Sequence, residues 1–299
     1  MSDAQWALIE PLLPSVGEQG GRPFRNNRQV VEGIVYRYRV GVPWRDVPAE
    51  FGSWQTIWKR HRRYAGDGTW DTILAARLAN ADANGLVDWT VSVDSTICRA
   101  HQHARTSRGT QGDLSNYTNL RTEPTDHALG RSRGGLGTKI HQLSDGKGWP
   151  LVLLIGPGQA GDSPVFPLLM KELSVPRLGL GRPRTRPEAV LGDKAYSLKV
   201  NRTLLRTRGI EAVIAEPDEE KRNRLRRGSR GGRPVRFDAE KYKGRNVVER
   251  SFCTLKQWRA LATPYDKLAL TYRAGVMLSA VCTCSGSLPP RRHALVLHR

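Results

Sequence analysis

Hydrophobic spacing divides the chain into a helical first part and a strand-rich second part. Over residues 1–80, apolar side chains recur at helical intervals in three stretches, which predict helices at about 2–14, 28–41 and 53–68. Gly41 is a typical helix end, because glycine tolerates the left-handed backbone that closes a helix. These three helices predict a separate N-terminal unit.

From about residue 86 the spacing changes to strict alternation, with apolar side chains at Val87, Trp89, Val91 and Val93 and polar ones between them. A hairpin turning at Asp145 and Gly146 follows, and two short apolar runs predict later strands. The five strands lie at about 86–96, 137–144, 150–158, 188–193 and 210–217, with helices at 163–173, 198–209 and 242–256. This order predicts an α/β fold with a mixed five-stranded sheet flanked by helices.

Charge points to a polyanionic partner. The 299 residues carry 48 Lys and Arg against 28 Asp and Glu, a formal net charge of +20. Such a field favours nucleic acid, with anionic membrane as the rival. No apolar stretch approaches the ~20 residues of a membrane span, and no signal peptide opens the chain, so a cytoplasmic protein is expected. The four cysteines show no zinc spacing and are interpreted as free thiols.

The third predicted helix has a basic face. It carries Lys59, Arg60, Arg62 and Arg63, opposite an apolar face with Trp54, Trp58, His61 and Ala65. Helix, turn and basic helix resemble a helix-turn-helix DNA reader. A small helical bundle with a solvated basic face is the alternative, and His61 is interpreted as a core histidine.

Two further basic segments interrupt the strand-rich part. The segment at about 99–133 is long enough to be functional or disordered, and it includes Arg131 and Arg133 in a Gly-rich stretch suited to DNA phosphate. A solvated loop is the alternative for that stretch. Residues 221–236 carry eight basic residues and no acid, so they are expected to fold only against a polyanion.

Three carboxylates stand out by position. Asp94 and Asp193 are each expected at the end of a strand, and Glu249 lies on a late helix. Ligand sites in α/β sheets gather at the carboxyl ends of strands, so the three can converge. Hard oxygen donors of this kind suit a pair of Mg²⁺ ions. Each residue taken alone is weak evidence, because an aspartate at a strand end is more often a turn residue or a helix cap.

The predicted helix at 242–256 places four side chains on one side. Tyr242, Arg245, Glu249 and Lys256 fall within a wedge of roughly 60° if one helix includes them all. A solvated face with one ion pair between Arg245 and Glu249 is the alternative interpretation.

Taken together, these features of the sequence resemble the DDE transposases of bacterial insertion sequences, in the group named after insertion sequence five. The N-terminal motifs of the resemblance are QWALIEPLLP, GIVYRYRVGVPWRDVP and FGSWQTIWKRHRR. Its catalytic motifs are VDSTICRAHQHA, GRSRGGLGTKIH, GPGQAGD and LGDKAYS. The pattern Y-x2-R-x3-E-x6-K is the most specific, and Tyr242, Arg245, Glu249 and Lys256 match it without a gap.

The resemblance implies an RNase H-like core in which Asp94, Asp193 and Glu249 hold two Mg²⁺ ions, with Mn²⁺ as a substitute. The implied reactions are phosphodiester hydrolysis and then transesterification on double-stranded DNA, at the element's terminal inverted repeats and at a target. Tyr242, Arg245 and Lys256 are implied to lie along the DNA. A homodimer assembled on DNA, a nucleoid location and no membrane contact are expected.

The expected organisation is an N-terminal helical DNA-binding domain at 1–80 and a catalytic domain at 81–284. Basic insertions are expected at about 99–133 and 221–241. Residues 285–299 form an atypical tail, because the helical pattern of the family's last helix is lost there. Two rival functions stay open: another RNase H-like nuclease, and a catalytically inactive DNA-binding repressor from a decayed element.

Overall fold

The computed structural model describes residues 1–14, 26–104 and 123–284. The atypical tail and residues 105–122 of the first basic segment lie outside this range. The helices are Asp3–Ile9 (α1), Asn27–Val40 (α2), Trp54–Gly66 (α3), Thr69–Ala83 (α4), Phe166–Glu172 (α5), Lys199–Thr207 (α6), Asp218–Arg226 (α7), Ala239–Lys243 (α8), Asn246–Lys256 (α9), Arg259–Ala262 (α10) and Ala269–Thr283 (α11). The strands are Thr90–Arg99 (β1), Gly130–Ser132 (β2), Gly135–Ser144 (β3), Pro150–Pro157 (β4), Ala189–Gly192 (β5) and Glu211–Ile214 (β6).

The three N-terminal helices occur where apolar spacing predicts them. The Ser2 hydroxyl accepts a hydrogen bond from the Gln5 backbone N–H, and the Gln5 side chain accepts from the Ser2 backbone, a capping box that opens α1. Gly41 ends α2 with φ near +83°. Helix α4 is an addition to the predicted elements, although its buried Trp70, Ile73, Leu74 and Leu78 follow helical spacing.

The sheet has the strand order β4, β3, β1, β5, β6. Strands β1, β3 and β4 are antiparallel neighbours, whereas β5 and β6 run parallel to β1. Helices flank this sheet, and the order and directions are those of an RNase H-like core. The expected five strands are present. A sixth strand, β2, lies inside the segment expected to be a loop and pairs with the start of β3.

Strand β1 begins and ends later in the chain than predicted, at Thr90 and Arg99. Instead of ending at Asp94, it continues to Arg99 because β3 pairs with it antiparallel as far as the Arg99 and Gly137 partners. The parallel pairing with β5 stops earlier, at Val93 and Gly192. Asp94 therefore lies where β1 loses its parallel neighbour, rather than at the end of the strand.

The second basic segment is not wholly without structure. Helix α7 covers its first residues, contrary to the expectation that the segment folds only on a polyanion. The helix begins at three acidic residues, Asp218–Glu220, and ends among arginines, which matches the helix dipole. Arg224 pairs with Glu216, and the paired Nη2 and Oε2 atoms are 2.6 Å apart. No residue of α7 is buried.

One apolar core joins the N-terminal helices to the sheet. Helix α11 packs against α3, α4 and β4, and the buried cluster runs continuously from Trp6 to Val281. None of the helices in the described residues is long and apolar enough to span a membrane. All four cysteines are free thiols, as expected. A domain boundary near residue 80 stays a prediction.

A buried polar network crosses this junction. Arg37 and Asp266 form an ion pair of 3.2 Å, with side chains 4 % and 5 % exposed. The Tyr38 hydroxyl lies 3.1 Å from Asp266 Oδ2 and 2.8 Å from His61 Nε2. His61 also lies 3.2 Å from the Thr271 carbonyl oxygen, which confirms its assignment to the core. The network connects α2 and α3 to the chain around the start of α11.

His61 makes stability dependent on pH. Burial lowers the pKa of His61 from 6.5 to about 4, with the Arg37 charge acting the same way and Asp266 opposing. Between pH 4 and pH 6.5, His61 binds a proton in the unfolded chain but not in the folded chain. The contribution of neutral His61 to the free energy of unfolding is therefore complete above pH 6.5. It is lost as pH falls toward 4, by up to about 3 kcal/mol.

Denaturant unfolding at pH 7 and pH 5 measures this effect. His61→Gln is expected to be less stable than wild type at pH 7 but to lose less stability between the two pH values. Equal losses in both proteins would show that another group carries the acid sensitivity.

Candidate active site

Arg245 joins two of the three predicted carboxylates. Its Nη1 donates to Asp94 Oδ2 at 2.9 Å, and its Nη2 donates to Glu249. Asp94 lies on β1, whereas Arg245 immediately precedes α9 and Glu249 lies in the first turn of that helix. The fold thus brings Asp94 and Glu249 to one guanidinium although they are far apart in sequence.

Asp193 lies beside Asp94 because of the parallel register. The last paired residues of β1 and β5 are Val93 and Gly192, and the two aspartates are the next residues along each strand. Asp193 then caps a 3₁₀ turn by accepting from the Ala195 backbone N–H at 2.9 Å. Burial raises the pKa of Asp94, and the Asp193 charge acts the same way, against the Ser95 N–H and Arg245. This accumulated negative charge favours a cation.

Packing holds α9 against the sheet. The helix contacts β1 and β3, and its buried residues are Val247, Val248, Phe252 and Leu255. On the same helix, the Ser251 hydroxyl accepts from Gln142 Nε2 of β3 at 2.7 Å. Because Glu249 lies between these contacts along the helix, its Cα is fixed relative to the sheet, while its side chain stays 51 % exposed.

The predicted single helix at 242–256 is two helices. Helix α8 ends at Lys243, and α9 begins at Asn246. Gly244 and Arg245 keep right-handed helical dihedrals, but their N–H groups bond three residues back, to Lys241 and Tyr242. The tighter turn alters the angular spacing, so the wedge calculated for one α-helix does not apply to all four residues.

Tyr242 and Lys256 lie on either side of Arg245 and Glu249 in sequence. The Tyr242 ring packs against the Phe237 ring, with centroids 5.1 Å apart, and the Arg245 guanidinium carbon lies 5.9 Å from the Tyr242 centroid. Lys256 is exposed at the last residue of α9. Their proposed contact with DNA stays a prediction.

The basic face of α3 is smaller than predicted. Arg60 is 7 % exposed, and its Nη1 donates to Asn27 Oδ1 at 2.8 Å and to the Tyr64 hydroxyl at 3.3 Å. Lys59 and Arg63 are exposed, and Arg62 is half-buried with its guanidinium over the Trp58 ring. Arg60 is therefore buried, contrary to the prediction that it lies on the solvent-facing basic side of the helix. Its contact with DNA stays a prediction.

The error follows from the orientation of α3. Its buried face is centred on Ile57, His61 and Tyr64, while Trp54 and Trp58 are half-buried. This rotation brings Arg60 inward. Of the other basic candidates, Arg131 lies on β2 and Arg133 in the following turn, and both are exposed.

A further polar group, absent from the sequence prediction, adjoins Asp94. Asp162 follows β4 and accepts from the Ser95 hydroxyl at 2.6 Å and from Lys139 Nζ at 3.1 Å. The buried His141 has its Nδ1 3.7 Å from the same carboxylate oxygen. Asp162 ends the motif GPGQAGD, which belongs to the family resemblance, but residue type and spacing do not single out Asp162 within that motif.

Tyr196 is a buried residue near these acids. Burial raises the pKa of Tyr196, and the charges of Asp162, Asp94 and Asp193 act the same way. Its hydroxyl is buried without a hydrogen-bond partner among the described residues. Tyr196 is therefore a buried neighbour of the proposed carboxylates.

The donor set is consistent with a hard divalent cation. Asp94, Asp193 and Glu249 supply carboxylate oxygens, and a cationic guanidinium already lies between two of them. In the described residues, no three His, Cys, Asp or Glu side chains are close enough to share one ion as they stand. Arg245 thus binds two of the three carboxylates, Asp94 and Glu249, whose oxygen atoms are suited to a metal ion.

Two family models match the chain. Residues 1–74 match a putative transposase of the IS4/5 family, and residues 86–284 match a transposase DDE domain. A putative transposase for insertion sequence element IS402 from Burkholderia cepacia is 31% identical over 167 residues, covering 55% of this chain and 68% of the relative. An uncharacterized 16.2 kDa protein of IS402 from the same organism is 37% identical over 107 residues, covering 33% of this chain and 73% of that protein.

Among solved structures, the Mos1 transposase paired-end complex with left transposon end shares 12% sequence identity. The match covers 81% of this chain and 82% of that one, with a TM-score of 0.25. This superposition is too loose to bear on the assignment. The DDE domain match alone spans more than half of the chain and confirms the predicted resemblance. This protein therefore belongs to the IS4/5 family of DDE transposases, enzymes that cut and transfer DNA strands.

Proposed function

We propose that Asp94, Asp193 and Glu249 are the catalytic carboxylates of this transposase. The bridge from Asp94 through Arg245 to Glu249 carries the assignment, because it unites a strand and a distant helix at the point where Asp193 also emerges. The proposed substrates are the terminal inverted repeats of the element and a target duplex. A Mg²⁺-dependent nicking assay with Asp94→Asn tests the assignment.

A DDE transposase domain implies dependence on a divalent metal ion. We propose two Mg²⁺ ions, with Mn²⁺ as a substitute, held by the three carboxylates. When bound, they supply Lewis acidity that activates the attacking oxygen and stabilises the leaving 3′ oxygen. The chain's own part is to hold the carboxylates: β1 and β5 set two of them by register, and α9 sets the third by packing.

Arg245 then has two roles in the proposed mechanism. In the free protein, its guanidinium balances the negative charge of Asp94 and Glu249. On DNA, the same planar fork can donate two hydrogen bonds to a phosphate, and its charge does not titrate near neutral pH. Lys256 at the end of α9 supplies a second phosphate contact, and Arg131 and Arg133 are further candidates.

The proposal includes assembly as a homodimer on DNA and action on the nucleoid in the cytoplasm. A dimer suits an element with two inverted ends, because a two-fold symmetric protein presents the same surface to each.

The exposed residues of α3 are expected to contribute to DNA affinity. Replacing Lys59 and Arg63 by Ala should weaken binding and lower the slope of log affinity against log salt by ~0.9 for each phosphate that the protein no longer neutralises. Fluorescence anisotropy on an end-sequence duplex at several salt concentrations measures both quantities. An unchanged affinity and slope would remove α3 from the DNA interface.

Arg60→Ala is the matched comparison on the same helix. It should lower the free energy of unfolding, because Arg60 is buried and bonded to Asn27 and Tyr64. At temperatures where this variant remains folded, its salt slope should equal that of wild type. A lowered slope would place Arg60 at the DNA after all.

A further inference from the structure

Asp162 is linked to Asp94 through a single residue. The Ser95 hydroxyl donates to Asp162 Oδ1 at 2.6 Å, and the Ser95 backbone N–H donates to Asp94 Oδ1 at 2.8 Å. The Ser95 side chain is therefore bonded to Asp162, and the Ser95 backbone is bonded to the Asp94 carboxylate. A shift of Asp162 therefore displaces the donor that orients the Asp94 carboxylate.

Lys139 fixes Asp162 in turn. Its Nζ donates to Asp162 Oδ1 at 3.1 Å and to the Ala160 carbonyl oxygen at 2.6 Å. Lys139 is itself buried within β3, which pairs with β1 along the stretch containing Asp94 and Ser95. The segment 160–162 is therefore attached to the sheet at two atoms, and its position follows that of β3.

Two roles are possible for a fourth carboxylate near the three proposed ligands. It could bind the metal ion itself, or it could orient a residue that does. The Lys139 ammonium already balances the Asp162 charge, with the Lys139 side chain 10 % and the Asp162 side chain 26 % exposed. Because breaking this partly buried ion pair would leave the Lys139 ammonium without its partner, the contact favours orientation over metal binding.

We propose that Asp162 is a positioning residue that orients Asp94 through Ser95. The proposal rests on the catalytic assignment of Asp94 made above. It assigns to the last residue of GPGQAGD a role in the geometry of the metal-binding carboxylates, while Asp162 itself touches neither the metal ion nor DNA.

Ser95→Ala is the cleanest test, because it removes the hydroxyl and keeps the backbone N–H. Removing an outer-shell partner typically costs 10–100-fold in metal affinity or activity. We expect the Mg²⁺ concentration for half-maximal nicking to rise about 10-fold, with DNA-end affinity unchanged. In the DNA-free protein, the Mn²⁺ concentration that gives half of the metal-induced rise in Tm should increase in parallel.

Asp162→Ala should reproduce this change, and the double variant should add little to either single one, because both break the same link. Asp162→Asn keeps an oxygen acceptor for Ser95 and should recover most of the metal affinity. Ser163→Ala is the local control, since the Ser163 hydroxyl accepts from Asn201 rather than bonding to Ser95. It should behave as wild type.

The outcomes separate this inference from the proposed function. If Asp94→Asn nicks at the wild-type rate, the catalytic assignment fails and the inference fails with it. If Asp94→Asn is inactive while Ser95→Ala has normal metal dependence, only the inference is overturned. Additive losses in the double variant would also overturn it. If Asp162→Ala fails to fold, Ser95→Ala and Asp162→Asn still test whether Asp162 orients Asp94.

Discussion

Asp94→Asn is expected to lower Mg²⁺-dependent nicking by at least ~10³-fold while leaving DNA-end binding intact. The substitution keeps the size of the side chain but removes a charge from the proposed metal-binding group. Glu249→Gln, on α9, should have the same effect. Affinity for DNA comes mainly from Lys and Arg contacts to phosphate, so loss of a carboxylate charge should leave it equal or slightly higher.

The measurement is nicking of supercoiled plasmid that carries the element's own ends, with binding followed in parallel. Asp88→Asn is the matched control, because Asp88 precedes β1 at the end opposite the site and its carboxylate accepts from the Thr90 backbone N–H. It should cleave nearly as wild type. If wild type never nicks with Mg²⁺ or Mn²⁺, the repressor alternative replaces the proposed mechanism. If wild type nicks DNA but never joins a 3′ end to a target, the result supports the alternative of another RNase H-like nuclease.

The second large effect concerns stability. Arg37→Ala is expected to lower the free energy of unfolding by about 3–5 kcal/mol, because it leaves Asp266 buried without its cationic partner. The loss should be accompanied by weaker attachment of α2 and α3 to the start of α11, since Tyr38 and His61 belong to the same network. Urea unfolding followed by tryptophan fluorescence and circular dichroism measures it.

Arg63→Ala supplies the control, because its ion pair with Asp67 is 3.7 Å long and solvent-exposed. Such pairs contribute about 1 kcal/mol or less. The two optical signals should also report one shared transition, since the apolar core runs from the N-terminal helices into the sheet. Two separated transitions would instead support an N-terminal domain at 1–80 that folds independently.

Local pattern is sufficient for most of the fold. Alternation from Val87 to Val93 predicts β1, and Asp145 with Gly146 predicts the turn between β3 and β4, both of which the structure confirms. Errors arise where a neighbouring element decides the outcome. Strand β1 continues past Asp94 because β3 pairs with it, and this partner cannot be identified from the spacing of β1 alone.

Side-chain roles are harder to predict than elements. Arg60 has the same sequence character as Lys59 and Arg63, yet it faces Asn27 and Tyr64 because α3 is rotated against α2. Asp162 resembles an ordinary carboxylate at the start of a helix. Its importance depends on Ser95 and Lys139, which only the sheet register brings to it.

By itself, the sequence determined the order of the main predicted helices and strands, the basic charge, the three candidate carboxylates and the resemblance to DDE transposases, because these depend on residue type and short-range spacing. The tertiary structure decided which charges meet. It paired Arg245 with both Asp94 and Glu249, turned Arg60 inward and joined Asp162 to Asp94 through Ser95. These contacts depend on strand register and helix rotation, which arise when distant segments bury their apolar faces against one another.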